Sequence, residues 1–291
     1  MNPTTSILSL PEDCVSTILS HTSPQDVCRF SLVSTTFVSV SNSNLVWKTF
    51  LPSDYQDIVS RAVNQFSLKF ISSYKQLFRF LCRPLLIDGG NKSFMLEKYS
   101  GKKSYMLSAR ELSIAWSMDP MFWSWKSAPE SESRFSEVTE MRTVNWLEIE
   151  GKIRTQILTP NTLYEAYLVM KISHRAYGLD YAPSEVSIVI GNKVKRGKAY
   201  LCYKDENKRN METLFYGNRR NRVVQEQEDG QNIQVPCKRD DGWMEIEIGE
   251  FFSGEGDEEI EMSVMEVGHQ LKGGLVLEGI EVRPKHSHIK S

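Results

Sequence analysis

Apolar positions along this chain change period once, and the change divides it. Up to about residue 85 they recur at helical spacing; from about 104 they alternate. Leu10, Val15, Ile18 and Leu19 follow Ser9 and Glu12, a capping-box pair, with Pro11 in the first turn. Ser23-Pro24-Gln25-Asp26 repeats the start signal. Ser23 is the N-cap, Pro24 takes the first helical position and Asp26 lies near the positive end of the dipole. Val27, Phe30 and Leu32 follow. Ser34 caps a third helix carrying Phe37, Val38 and Val40. Asn42-Ser43-Asn44 interrupts it, and Leu45-Val46-Trp47-Lys48-Thr49-Phe50 is a further apolar turn. Two more helical stripes follow: Ile58, Val59, Ala62, Val63 and Phe66, then Leu77, Phe78, Phe80 and Leu81 before Arg83-Pro84. Turn signals at Asp88-Gly89-Gly90-Asn91 and Ser100-Gly101-Lys102-Lys103 place a domain boundary between about 86 and 103, although Phe94, Met95, Leu96 and Tyr99 call for packing against something.

Beyond it the pattern is that of strands. Leu147 and Ile149 alternate with Trp146, Glu148 and Glu150; Tyr164, Ala166, Leu168, Met170 and Ile172 alternate with Glu165, Tyr167, Val169 and Lys171. Val186, Ile188 and Ile190, and later Met244, Ile246 and Ile248, do the same. Short alternating runs without helices between them predict an antiparallel sandwich or barrel. In Leu275–Val282 the phase slips at Glu278-Gly279, the mark of a β-bulge. Residues 191–235 lack apolar alternation and read as one or two long loops, with a positive bias from Lys193, Lys195, Arg196, Lys198, Arg219, Arg220 and Arg222.

Composition narrows the function classes. The chain has 291 residues, 40% hydrophobic and 25% charged, with a formal net charge of −2. That balance gives no pull toward nucleic acid or anionic membrane. Five cysteines, an odd number without a CxxC pair, argue against a disulfide framework and against zinc, and fit a reducing compartment. The N-terminus has no signal-peptide pattern and no apolar run reaches membrane-span length. No GxSxG, HExxH, P-loop or dinucleotide glycine pattern is present; that absence does not exclude an enzyme, but nothing in the chain supports one, and no catalytic residue, cofactor or metal is expected.

Roughly fifty residues is too little chain to bury a stable core alone, so the apolar positions of the first helices call for a partner. The run Leu10-Pro11-Glu12-Asp13, Ile18-Leu19-Ser20, Ser23-Pro24-Gln25-Asp26-Val27-Cys28, Val33-Ser34, Phe37 and Trp47 resembles the F-box. Residues across 104–285 resemble the phloem protein 2 family, related to a jasmonate-inducible lectin of tobacco. They include Ser108-Ala109-Arg110, Trp116, Pro120, Trp123-Ser124-Trp125, Arg134-Phe135, Trp146-Leu147-Glu148-Ile149, Asp240-Asp241-Gly242-Trp243, Glu245-Ile246 and Gly279-Ile280-Glu281-Val282-Arg283-Pro284. The combination is a plant arrangement.

The resemblance implies an α+β multidomain chain. A small all-α F-box (1–50) and a helical connector and linker (51–103) precede an antiparallel, jelly-roll-like β-sandwich (104–285) and a short tail (286–291). It implies a substrate receptor of an SCF-type ubiquitin ligase, in the nucleus and cytoplasm, docked on a Skp-type adaptor and through it a cullin. Leu10, Pro11, Ile18, Leu19, Pro24, Val27 and Trp47 are the adaptor-binding candidates; each of them, Trp47 included, has intramodule core as its alternative, and Val33 and Phe37 lie nearer the core. In the related lectin, tryptophans matching Trp116 and Trp123 are implicated in binding N-acetylglucosamine oligomers, which a flat aromatic face suits; core packing is the alternative. The sandwich then captures a glycan or glycoprotein. A protein surface read without sugar, or a stand-alone lectin or defence protein, are the other readings. Asp240-Asp241 reads first as a turn.

Overall fold

The computed structural model describes residues 10–64, 70–129, 132–202 and 233–285. The expectations for Ser9, Phe66, Arg219, Arg220, Arg222 and the 286–291 tail lie outside them. Helices come first: α1 (Glu12–Ser20), α2 (Pro24–Phe30), α3 (Thr35–Ser41), α4 (Asn44–Thr49), α5 (Tyr55–Ser60) and α6 (Tyr74–Leu81). Their starts follow local chemistry. Ser23 Oγ accepts from the Asp26 amide, Ser34 Oγ from that of Phe37, and Ser43 Oγ, inside the expected interruption, from that of Leu45. The α1 helix packs on α3 and α4, α2 on α3, and α6 on α4. Between them Val15, Leu19, Val27, Phe37, Val40, Val46 and Trp47 are buried.

The strands are β1 (Leu85–Ile87), β2 (Lys92–Leu96), β3 (Lys103–Ser108), β4 (Ser113–Ile114), β5 (Trp123–Ser127), β6 (Glu137–Met141), β7 (Val144–Arg154), β8 (Thr162–Tyr177), β9 (Ser184–Ile190), β10 (Lys193–Ala199), β11 (Cys237–Lys238), β12 (Met244–Ser253) and β13 (Glu259–Pro284). They pair antiparallel in two sheets. One runs β1-β2-β3-β13-β8-β12-β11, with β5-β6 joining β13 beside β3; the other runs β4-β7-β13-β9-β10. The long β13 strand serves both. Its first half, from Glu259 to Val267, lies between β7 and β9; its second half, from Leu275, lies between β8 and β3. The inward residues interdigitate: Leu147, Ile149, Ile188 and Val264 from one sheet, Leu168, Met170, Ile246 and Ile280 from the other, all buried. This is the antiparallel sandwich that the alternation calls for. The phase slip at Glu278-Gly279 is a register shift of β13 against β8. Gly279 is required there, because a Cβ would stand 1.9 Å from the Leu107 carbonyl oxygen.

Two expectations are corrected. The boundary at 86–103 is not a linker: β1 and β2 form a hairpin that extends a sheet of the sandwich, burying Leu85, Ile87, Phe94 and Leu96. Runs of three and five residues are too short for alternation to declare itself. The stretch 191–235 is not all loop either, since β10 pairs with β9 along its whole length. Its Lys-rich composition is that of an edge strand, where charge discourages further pairing.

The same hairpin fastens the helices to the sandwich. Ala62 bridges Ile87, the Val63 amide donates to Leu86 and the Asp88 amide to Arg61. Arg61 grips the Asp88 carboxylate through Nε (2.8 Å) and Nη2 (2.7 Å), and Lys103 Nζ reaches Asp54 at 2.7 Å. One apolar core runs from Val15 and Trp47 through Phe78 and Phe94 into the sheets. Asp88→Asn is expected to lower unfolding stability by about 1–2 kcal/mol, the scale of a hydrogen bond to a charged group. Urea unfolding checks this, and an unchanged midpoint would mean the pair is idle.

Candidate functional site

The helical unit presents apolar surface that its own core leaves out. Ile18, Phe30, Leu32, Val33, Val38 and Leu45 are exposed; Leu32 is 87% so. Phe30 stacks on Phe37 at 5.6 Å, which anchors the exposed group to the interior. Six exposed apolar side chains on so small a unit make it a candidate interaction surface.

The seven adaptor candidates divide. Pro11 and Ile18 are exposed and Leu10 is partly buried against the core. Leu19, Pro24, Val27 and Trp47 are interior, and their assignment as contacts is corrected. Helical phase turns Leu19 and Val27 inward, and the Trp47 indole is fixed from both ends. Its Nε1 donates to the Ser41 carbonyl at 2.6 Å and its ring meets Phe78 at 5.3 Å. Val33, expected nearer the core, is outside, while Phe37 is inside. Leu32, Val38 and Leu45, exposed as well, were not among the sequence candidates, because the short α3 and α4 carry too few turns to define a face and Leu32 lies beyond the end of α2.

At the sandwich end, Trp116 stands in a turn between β4 and β5. It is 60% exposed, with a backbone φ of 65°, the left-handed region that side chains with a Cβ seldom occupy. Its ring tilts against Phe122 at 5.9 Å, and Met118 and Met121 are exposed beside it in sequence. Trp123 is 2% exposed, and its assignment as a sugar contact is corrected. Its position on β5 points it into the core, and its Nε1 donates to the Ala115 carbonyl at 3.0 Å. Trp125 is half-buried. Its Nε1 donates to the Ser117 carbonyl at 2.9 Å, and the Arg110 guanidinium lies 3.6 Å over its ring.

A third feature escaped the sequence. On the outer face of the larger sheet, Glu281 accepts from Arg134 (2.7 Å) and Arg239 (2.6 Å), while Glu245 accepts from Arg239 (2.6 Å) and Arg283 (2.7 Å). The Glu278 carboxylate holds the Ser133 hydroxyl and Arg134 amide, each at 2.9 Å. The Trp243 indole donates to the Glu132 carbonyl, and Phe135 and Val138 pack with Met106, Val169 and Trp243. The segment from Glu132 to Ser136 is thereby strapped onto the sheet. Burial alone would raise the Glu281 carboxyl, but Arg134 and Arg239 outweigh it and hold it at about 2. Burial pushes Glu278 up instead. The alternation of Glu281 and Arg283 with Ile280 and Val282 was the one available signal.

Asp241 forms the expected turn, accepting from the Trp243 amide and from Arg239. Among the described residues one group of three carboxylates converges, Glu165, Glu247 and Glu250. Lys285 Nζ is paired with Glu165 and Glu250, so an ammonium of the chain already meets that charge.

Comparison with known proteins places these features in a lineage. The phloem protein 2 family model matches residues 102–284 and the F-box domain model residues 7–49. F-box protein PP2-B15 of Arabidopsis thaliana is 48% identical over 290 residues, covering 98% of this chain and 99% of its own. F-box protein VBF of the same plant is 48% identical over 286 residues, covering 96% and 100%. Among solved structures, the CBM22-1 xylan-binding domain from Paenibacillus barcinonensis Xyn10C is 10% identical and covers 61% of this chain and 87% of that one. Its TM-score of 0.28 is too low to bear on ligand.

Proposed function

The chain belongs to the phloem protein 2 family and carries an F-box ahead of it, and on that premise we propose that it is the substrate-recognition subunit of an SCF-type ubiquitin ligase. The helical unit docks a Skp-type adaptor, and through it a cullin, by way of Pro11, Ile18, Leu32, Val33 and neighbouring apolar side chains. The sandwich captures a glycoprotein target in the nucleus or cytoplasm. The chain performs no covalent step. It raises the effective concentration of a target lysine near a charged conjugating enzyme. The observation that carries this reading is the exposed apolar set on a helical unit whose own core is already complete.

On the target side, Trp116 offers one open aromatic face suited to the C–H face of a pyranose. Trp116→Ala is expected to weaken glycan binding at least about tenfold without moving the melting temperature, since the lost ring is a surface one. A glycan array followed by titration calorimetry tests it; a wild-type chain that binds no sugar overturns the lectin part. One observation favours a second reading. With Trp123 inside, the open surface is Trp116 with Met118 and Met121, and adaptable methionines suit a protein surface. In that case Trp116→Ala loses the protein target while the array stays blank.

A further inference from the structure

We infer that Trp123 and Trp125 are positioning residues, whose two indole N–H groups clamp the peptide carbonyls on either side of Trp116 and hold its ring outward for a ligand. The acceptors are consecutive. Ala115 O takes Trp123 Nε1, Trp116 O takes the Asp119 amide, and Ser117 O takes Trp125 Nε1. No carbonyl from 115 to 117 is left for the turn to rearrange around. Asp119 closes the far side by accepting from the amides of Phe122 and Trp123 through its carbonyl, and from that of Met121 through Oδ1. The Ala115 amide is itself fixed to Glu148 on β7.

Such bracing is what Trp116 needs. A bulky residue at φ 65° persists only where its surroundings over-determine it. Both clamps sit on β5 two residues apart, so their rings leave the strand on the same side and meet the turn together. Trp125 is braced in turn: Arg110 lies on its ring, and Glu137 holds Arg110 at 2.9 Å. An indole N–H that contacted sugar would donate to a hydroxyl; these two are committed to backbone. Trp123 thus acts on binding through Trp116 and touches no ligand itself. The ligand class rests on the glycan reading above, whereas the clamp does not.

The test uses the full-length protein with Trp123→Phe and Trp125→Phe, which keep an aromatic ring and delete the donor. Trp125 is half-buried, so its variant remains informative if Trp123→Phe misfolds. Amide hydrogen exchange at Ala115, Ser117 and Asp119 is read together with affinity for an N-acetylglucosamine trimer. Each variant is expected to speed exchange and weaken trimer binding about fivefold, the equilibrium change for one lost hydrogen bond. A merely space-filling role would leave exchange in the turn unchanged, and that result overturns the clamp. If the wild type binds no trimer while exchange accelerates in the variants, the clamp is upheld and the glycan reading falls.

Discussion

Ile18→Asp and Leu32→Asp each lose adaptor capture by on the order of 100-fold, about 3 kcal/mol, while melting at the wild-type temperature. Both side chains already face solvent, so the free protein loses little when they change. In the complex each carboxylate would be buried in an apolar contact without a partner, and that desolvation is the source of the loss. Leu19→Ala is the contrast. Leu19 is buried, and its truncation opens a cavity that costs about 3 kcal/mol of folding stability. It therefore lowers capture only by unfolding the unit. A pull-down against purified adaptor, with melting curves on the same samples, separates the two. Full capture by both aspartate variants would remove the docking assignment.

Glu281→Gln is the second large effect. It leaves Arg134 and Arg239 without the carboxylate each shares, in a site Glu281 occupies at 3% exposure. Breaking a buried ionic network by removing one member costs about 3–5 kcal/mol. The acid limb follows from the same carboxyl. Its folded value of about 2 lies below the ordinary 4.5. The stability it contributes is complete above pH about 4.5 and drains away as pH falls toward about 2, by roughly 3 kcal/mol in total. Glu278 has the opposite sign, raised by burial, so it adds nothing to that acid loss. Urea midpoints for wild type and Glu281→Gln between pH 7 and pH 2.5 should converge as the pH drops. Parallel curves would mean that Glu281 is not the titrating anchor of the strap.

Much of this was legible in the chain. Ser23 and Ser34 announced their helices because capping is local chemistry, and β7, β8, β9 and β12 declared themselves through alternation over seven or more residues. What failed was decided by distance in three dimensions. The β1–β2 hairpin is too short to show a period, so its partnership with the 61–63 segment was invisible. Whether Leu19 or Ile18 faced a partner depended on how α1 rolls against α3 and α4. Resemblance placed Trp116 and Trp123 in one role, but position on a turn and position on a strand gave them different ones. The Arg134–Glu281 contact spans 147 residues of chain, and no local pattern reports such a pairing.

The shared strand β13 has a consequence for synthesis. It lies at the centre of both sheets, yet it follows every other described strand. As the chain leaves the ribosome, β7 emerges roughly five to twenty seconds before the first half of β13, at the usual rate of elongation. Through that interval β7 and β8 have no neighbour on the side β13 will fill, so their edges stand open on the nascent chain. The helices have emerged by then, but the core they share with the sheets is not yet complete.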